Sequence, residues 1–311
     1  MDRPISIWCL GDGKAGHVNQ VRGLCDALGR LTEIDCHTVP APSRFRSIAH
    51  LALRRFPPGR DLPNPDLILA AGHGTHLGLL AARRARGGRA IVLMRPSLPL
   101  HLFDLCLIPR HDHPPVNEKV IETTGVLNRV RPPDRRAAGE GLILLGGPSA
   151  HHDWSDPAVL EQLATILDAT PQCHWHLTTS RRTPASVLEQ VQKKAGENLS
   201  VVPVSKTPPD WVPQHLARAQ EVWVTEDSVS MIYEALTAGA AVGLIQLPRR
   251  RGAGRVIEGI DELIDKGMLT CFDRWRPGSV LPPPAEVPNE AERCARLICE
   301  RFLSGVRPSG S

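Results

Sequence analysis

The sequence predicts an α/β fold in two halves, each a parallel β-sheet with crossover helices. Three observations predict it. Short β-branched or apolar runs alternate with helical patterns along the chain, the mark of βαβ units. Glycine-rich turns follow strands in both halves, at Gly11–Gly16, Gly72–Gly74 and Gly146–Gly147. Residues 128–139 are dense in Arg and Pro and lack apolar periodicity, which places a linker there. At 311 residues the chain exceeds the size at which one core stops growing. Two Rossmann-like domains facing a cleft satisfy all of this. Their expected extents are 1–135 and 136–311, with the last helix packing back on the N-terminal domain.

Composition narrows the function. An apolar share of 41% and a charged share of 23% are ordinary for a globular chain. A net charge of +4 is too small to imply nucleic acid, and 4% aromatic residues argue against a base-stacking platform. No nucleic-acid partner is expected. Eight cysteines form no CxxC pair and fall mostly within apolar runs, so they read as reduced, buried small hydrophobes. The N-terminus leads directly into a strand, and no apolar run approaches the roughly 20 residues that span a bilayer. The expectation is a cytoplasmic protein without a signal peptide, peripheral on the inner face of the membrane.

In the first half, Ile5–Leu10 is a strand that feeds Gly11-Asp-Gly-Lys-Ala-Gly16, His17 and a helix carrying Val21, Leu24 and Leu28. Strand, glycine-rich turn and helix form an anion- or ligand-binding corner. The spacing is neither G-x-G-x-x-G nor a P-loop, and a plain turn capped by His17 is the alternative. Ile34–Val39 is a second strand. Residues 43–56 then place Phe45, Ile48, Ala49, Ala52, Leu53 and Phe56 on one helical face, flanked by Arg44, Arg46, Arg54 and Arg55. That pattern suits either docking on an anionic membrane or packing on the sheet. Asp66–Ala71 is a strand ending at Gly72-His73-Gly-Thr-His76, followed by a helix to about Arg84. Strands Ala90–Met94 and Leu105–Pro109 follow. Ligands bind at the carboxyl ends of such strands, so Gly11–His17, Gly72–His76 and Arg95–Ser97 should line one edge.

The second half opens with the strand Gly141–Leu145, the turn Gly146-Gly-Pro-Ser149, and a helix from about Pro157 to Ala169. His174–Thr179 runs into Ser180-Arg-Arg-Thr-Pro184 and a helix; Leu199–Val202 is a short strand. The strand from Val222 breaks at Asp227-Ser228, continues as a helix to Gly239, and returns as the strand Ala241–Leu247. There the turn puts Ser228 and Ser230 at unsatisfied helix-terminal N–H groups, where the dipole favours an anion. Glu234 follows one helical turn after Ser230. This predicts a diphosphate on the turn and a sugar hydroxyl on Glu234. Gly259–Lys266 and residues from about 289 to 302 read as helices.

With both halves placed, the chain resembles GT-B nucleotide-sugar glycosyltransferases, notably the lipid-linked N-acetylglucosaminyltransferase of peptidoglycan synthesis. The resemblance lies in Gly11-Asp-Gly-Lys-Ala-Gly-His17, Gly72-His-Gly-Thr75, Gly146-Gly-Pro-Ser149, Asp227-Ser-Val and Glu234-Ala-Leu-Thr-Ala-Gly239. A similarity spanning nearly the full length is to the mitochondrial-fission family named after the plant elongated-mitochondria protein. It rests on Asp12-Gly-Lys-x-Gly-His17-x-x-Gln20, Thr178-Thr-Ser-Arg-Arg-Thr-Pro184 and Thr225-x-Asp-Ser-Val-Ser-Met231. Ser228 departs from the transferase's glycine, Met231 from its threonine, and Pro148 stiffens the Gly-Gly turn.

The resemblance implies a UDP-sugar donor, a ribose contact at Glu234, no obligatory metal or other cofactor, and a lipid-linked or envelope acceptor. Inverting transfer needs a base and stabilisation of the leaving diphosphate. His17 or Asp12 is the candidate base, and Lys14 with Gly16 a candidate phosphate contact. Gly72, His73, Gly146, Gly147, Ser149, Thr179 and Ser180 are expected around the substrate. At least one of Arg181 and Arg182 is expected on the diphosphate, whose oxygens suit a guanidinium fork. The histidines at 73 and 76, 111 and 113, and 151 and 152 lie at separate strand ends without HExxH spacing, so no metal site is predicted. An epimerase or hydrolase on the same fold and a non-catalytic adaptor are the rival readings.

Overall fold

A computed structural model describes residues 3–133, 136, 139–250 and 254–303. In chain order the elements are β1 (Ile5–Gly11), α1 (Ala15–Leu31), β2 (Ile34–Pro40), α2 (Arg44–Leu53), β3 (Leu67–Ala71), α3 (His76–Arg86), β4 (Arg89–Leu93), β5 (Leu105–Pro109) and β6 (Val120–Thr123). There follow β7 (Glu140–Leu145), α4 (Asp156–Ala169), β8 (His174–Thr179), α5 (Ala185–Lys193), β9 (Leu199–Val202), α6 (Trp211–Arg218) and β10 (Glu221–Thr225). The last are α7 (Val229–Thr237), β11 (Ala241–Ile245), α8 (Gly254–Asp265), β12 (Thr270–Cys271) and α9 (Glu290–Phe302). Among the described residues no helix is long and apolar enough to cross a membrane.

The chain forms two compact units. Unit 1 runs to Arg129 and resumes at Asn289, and unit 2 spans Val130–Pro288. The boundary expected at 135 falls on residues 134 and 135, outside those described. Residues from Asn289 onward, numbered with the second domain but with their helix expected to pack back on the first, belong to unit 1. The reason is packing: Ala291, Cys294 and Ile298 of α9 share a core with Val21, Leu24 and Leu28 of α1, and Glu292 accepts from Arg30 at 2.9 Å.

Unit 1 is a six-stranded parallel sheet of order β2-β1-β3-β4-β5-β6. β3 is apolar and buried at every position, as a strand covered on both faces must be. α1 and α9 cover one face, while Trp8, Phe56, Ile68, Leu79 and Ala82 pack together on the other. β6 has no counterpart in the sequence reading; it is a four-residue edge strand, too short for a clear alternation. Helix α2 also differs from expectation. It stops at Leu53 because Arg54 turns left-handed at φ 51°, and Phe56 leaves the helical face to stack on Trp8 at 5.9 Å. The residue α2 buries is Ser47, which donates to the Pro42 carbonyl at 3.2 Å and lies beside Gly78 of α3. Phe45, Ile48 and Leu53 remain 85%, 48% and 68% exposed. The apolar face of α2 therefore does not pack on the sheet.

Unit 2 is also parallel, of order β12-β11-β10-β7-β8-β9. Its core contains two tryptophans that lie over glycines of the neighbouring strand. Trp175 of β8 pairs with Gly141 of β7, and Trp223 of β10 with Gly243 of β11. Both indoles are fully buried. A cross-strand glycine leaves the flat space that a large ring occupies. α8 starts at Gly254, ahead of the expected Gly259.

Both sheets reverse their winding once, between β1 and β3 in unit 1 and between β7 and β10 in unit 2. In an open α/β sheet the crevice beyond the strand ends at such a point is where ligands bind.

The tryptophan packing can be tested by filling the glycine. A Cβ at Gly141 would lie 2.4 Å from carbons of the Trp175 ring. Gly141→Ala should destabilise unit 2 by about 1–3 kcal/mol, read as a lower thermal midpoint. Gly16→Ala, with nothing within 4 Å of the added carbon, is the control and should shift stability by under about 1 kcal/mol. Equal midpoints for the two variants would contradict the packing.

Candidate functional site

At the switch point of unit 1, β1 ends in Gly11-Asp12-Gly13 and Lys14 opens α1. The Asp12 carboxylate accepts from the Lys14 N–H at 3.2 Å and faces His17 Nδ1 at 2.9 and 3.1 Å. Burial works to raise the Asp12 pKa, but the hydrogen bonds and charges of His17 and Lys14 outweigh it and hold it below its usual value. A carboxylate on Nδ1 leaves Nε2 as the basic nitrogen of a neutral imidazole. Across the switch point, Gly72 sits at φ +87° with its α-carbon against the His17 ring, where a Cβ would lie 2.2 Å from Cε1. Gly72 is thus needed twice, for its backbone angle and for the space His17 takes. Thr75 pins this turn by donating to the Gly72 carbonyl at 2.7 Å.

Beside this corner lies a cavity of about 390 Å³ lined by Arg44, His73, His76, Ser97 and Leu98 among others. His76 is buried and contacts Ser97 Oγ at 3.3 Å. Burial, with the neighbouring His73 and His17, lowers its pKa to about 4, so it is neutral at neutral pH. His73 and Lys14 are exposed, as is Gly16 in the first turn of α1. The structure therefore brings Asp12, His17, Gly72 and His73 to one edge of one sheet, with Ser97 nearby.

At the switch point of unit 2, the ends of β7, β8 and β10 are tied together. The Gly146 N–H donates to Thr225 Oγ1 at 2.6 Å and the Gly147 N–H to Asp227 Oδ2 at 3.0 Å. Asp227 has a fully enclosed side chain and pairs with Arg182 at 2.7 Å. Arg182 also donates to the Gly147 and Pro148 carbonyls at 2.8 and 3.0 Å. Neither glycine admits a side chain: a Cβ would lie 2.3 Å from the Asp227 oxygens at Gly146, and 2.2 Å from the Arg182 carbonyl at Gly147. Ser180 Oγ donates to the Gly146 carbonyl at 3.0 Å. Ser149 Oγ accepts from the His151 and His152 N–H groups, and Thr179 Oγ1 from Val204 N–H.

Gly146, Gly147, Ser180, Arg182 and Asp227 are bonded among themselves, while Ser149 and Thr179 are held by the His151, His152 and Val204 N–H groups. The other residues expected in this half lie on α7 and just after β8. Ser228 is the N-cap of α7 without a side-chain capping bond, and no acidic residue lies in the first turn. Ser230 is exposed on that turn and Glu234 is partly buried one turn on. Arg181 is exposed and makes no ion pair among the described residues.

A second group went unnoticed in the sequence. Glu226, one residue before Asp227, is buried and accepts from Arg249 Nε at 2.7 Å. Arg249 also pairs with Asp261 at 2.8 Å. Burial works to raise the Glu226 pKa, but His152 and Arg249 outweigh it and keep the group below its usual value. With Gln246, Cys271 and Arg274 these side chains line a cavity of about 500 Å³ at the ends of β10, β11 and β12. The signal available was an acidic residue at the end of an apolar strand, which must be paired when buried.

With the geometry in hand, the comparisons with known proteins bear on identity. The profile of the family described as Mitochondrial fission ELM1 matches residues 15–302. The Mitochondrial fission protein ELM1 of Arabidopsis thaliana is 23% identical over 300 residues, covering 83% of this chain and 69% of that one. Among solved structures, MurG of Acinetobacter baumannii superposes with a TM-score of 0.52 at 13% identity, covering 97% of this chain and 100% of that one. The UDP-GlcNAc 2-epimerase of Neisseria meningitidis bound to UDP-GlcNAc gives a TM-score of 0.52 at 11% identity, with the same coverages. At such identities the superpositions speak to fold, and the fold is GT-B. The profile, which takes in most of the chain, settles the family: the chain belongs to the mitochondrial fission ELM1 family.

Proposed function

We propose that the protein binds a UDP-sugar at the switch point of unit 2 and transfers the sugar to a lipid-linked or envelope acceptor at a membrane surface. The observation that carries this reading is the α7 N-terminus. Its first turn has no side-chain cap and is free of acidic residues, Ser230 is exposed on it, Glu234 lies one turn below, and Arg181, just beyond β8, makes no ion pair among the described residues. Helix N–H groups and Arg181 suit a diphosphate, and Glu234 suits the ribose hydroxyls. UDP-GlcNAc in the Neisseria meningitidis epimerase supports the ligand class on the same fold. In unit 1, Asp12 orients His17 so that Nε2 can take the proton of an acceptor hydroxyl, and Lys14 is exposed nearby for a phosphate.

Calorimetric titration tests the donor site. UDP should bind, and Arg181→Ala should weaken UDP by about 2 kcal/mol while leaving uridine nearly unchanged. Glu234→Ala should weaken both ligands alike. Arg182→Ala should instead lower the unfolding midpoint, because it leaves Asp227 buried without its partner. No nucleotide binding would favour the adaptor reading; UDP-sugar turnover that needs no acceptor would favour an epimerase or hydrolase.

The exposed face of α2 supplies the membrane contact in this reading. Phe45, Ile48 and Leu53 can each contribute about 1.5–3 kcal/mol on insertion, and Arg44, Arg46, Arg54 and Arg55 surround them. The protein should sediment with anionic vesicles, less so as salt rises. Phe45→Ser should reduce binding at least about tenfold without changing the fold, since the side chain is 85% exposed. Binding that ignores both salt and this substitution would count against α2 as the contact.

A further inference from the structure

The eight cysteines read from the sequence as scattered hydrophobes, yet three of them meet. Cys9 of β1, Cys25 of α1 and Cys36 of β2 place all their sulfurs within 4.8 Å of one another. Cys36 Sγ lies 3.2 Å from Cys9 Sγ and 2.6 Å from Cys25 Sγ. All three thiols are free. Parallel pairing of β1 with β2 sets Ile7 opposite Cys36, and α1 brings Cys25 over the same face, within the core that contains Cys9, Val21 and Leu28.

We infer that Cys9, Cys25 and Cys36 form a binding site for a thiophilic d¹⁰ cation, zinc(II) or copper(I). Thiolate sulfur selects such ions over hard cations. A disulfide would use two of the three sulfurs and leave the third unused beside it; a coordination sphere uses all three. Sulfurs bound to zinc at about 2.3 Å in tetrahedral geometry stand about 3.8 Å apart, so the Cys36 side chain must draw back from Cys25, now 2.6 Å away, as the ion enters. Entry is provided by topology. β2 is the edge strand of its sheet, and Cys36 is exposed while Cys9 and Cys25 are buried. The exposed side leaves a coordination position for water. Each thiol gives its proton to solvent as its sulfur takes the ion; Arg22 and His37 lie within electrostatic reach of Cys36, and Asp26 within that of Cys25. The site joins three elements of unit 1 at its edge, and its role there is to clamp β2 to β1 and α1.

The test uses the full-length protein, reduced and freed of metal, titrated with cobalt(II) alone as the spectroscopic probe. Sulfur-to-cobalt charge-transfer absorption should grow to saturation at an equimolar ratio and be bleached by zinc(II). Cys36→Ser and Cys9→Ala should each lose most of that absorption and weaken zinc at least about tenfold, whereas Cys173→Ala should retain both. Cys36 is exposed, so Cys36→Ser keeps the core; circular dichroism checks each variant. In the unaltered protein, zinc should slow alkylation of Cys36. Absence of the charge-transfer band, its survival in Cys36→Ser, no protection from alkylation, or closure of a Cys25–Cys36 disulfide in the presence of zinc would each overturn the site.

Discussion

A carboxylate enclosed in the protein must be neutralised where it sits, and Asp227 is that carboxylate in unit 2. Its side chain is fully enclosed, and it meets both the Gly147 N–H and the Arg182 guanidinium. Leaving such a charge alone costs on the order of 3 kcal/mol or more, so the pairing dictates what surrounds it. Gly146 has no side chain because the carboxylate occupies that space. The loop after β8 is drawn over the Gly-Gly turn because Arg182 reaches both Asp227 and two carbonyls of that turn. The entry into α7 follows directly from Asp227, so the orientation of the helix N-terminus depends on the same bond. The first turn of α7 and Arg181 take no part in this interaction, and the proposed donor site uses them.

Unit 1 solves a related problem with a lighter contact. Asp12 is partly exposed and faces a histidine rather than an arginine. Gly72 across the switch point makes the room. The two corners thus divide by chemistry. One carboxylate is locked by an arginine, and the other is bound by a histidine. The exposed apolar face of α2 and the cavity that includes Arg44 lie on the same unit as Asp12 and His17.

The parts of the molecule legible in the sequence were those written in local pattern. Apolar runs, glycine turns and helix starts located both switch-point corners, because strand ends and helix N-termini are set by neighbours in the chain. Pairings across long separations were not legible. Arg181 and Arg182 look alike in sequence and are both exposed, yet only Arg182, of the two, pairs with a residue 45 positions on, at Asp227. Ser47 in α2 reads as a polar interruption, but its small size lets α2 approach Gly78, and that turns Phe45 and Ile48 outward. Cys9, Cys25 and Cys36 carry no spacing motif, since two strands and a helix must assemble before their sulfurs meet. Glu226 escaped notice beside the more conspicuous Asp227.

The central claim is that the α7 corner of unit 2 holds a nucleoside diphosphate while the Asp227–Arg182 bond stays intact beneath it. Amide hydrogen exchange with and without UDP tests this most directly. The account requires added protection in the first turns of α7 and at residues 180–182, with little change across β7. Protection absent from the α7 N-terminus, or confined to the cavity beside Arg249 and Asp261, would contradict it.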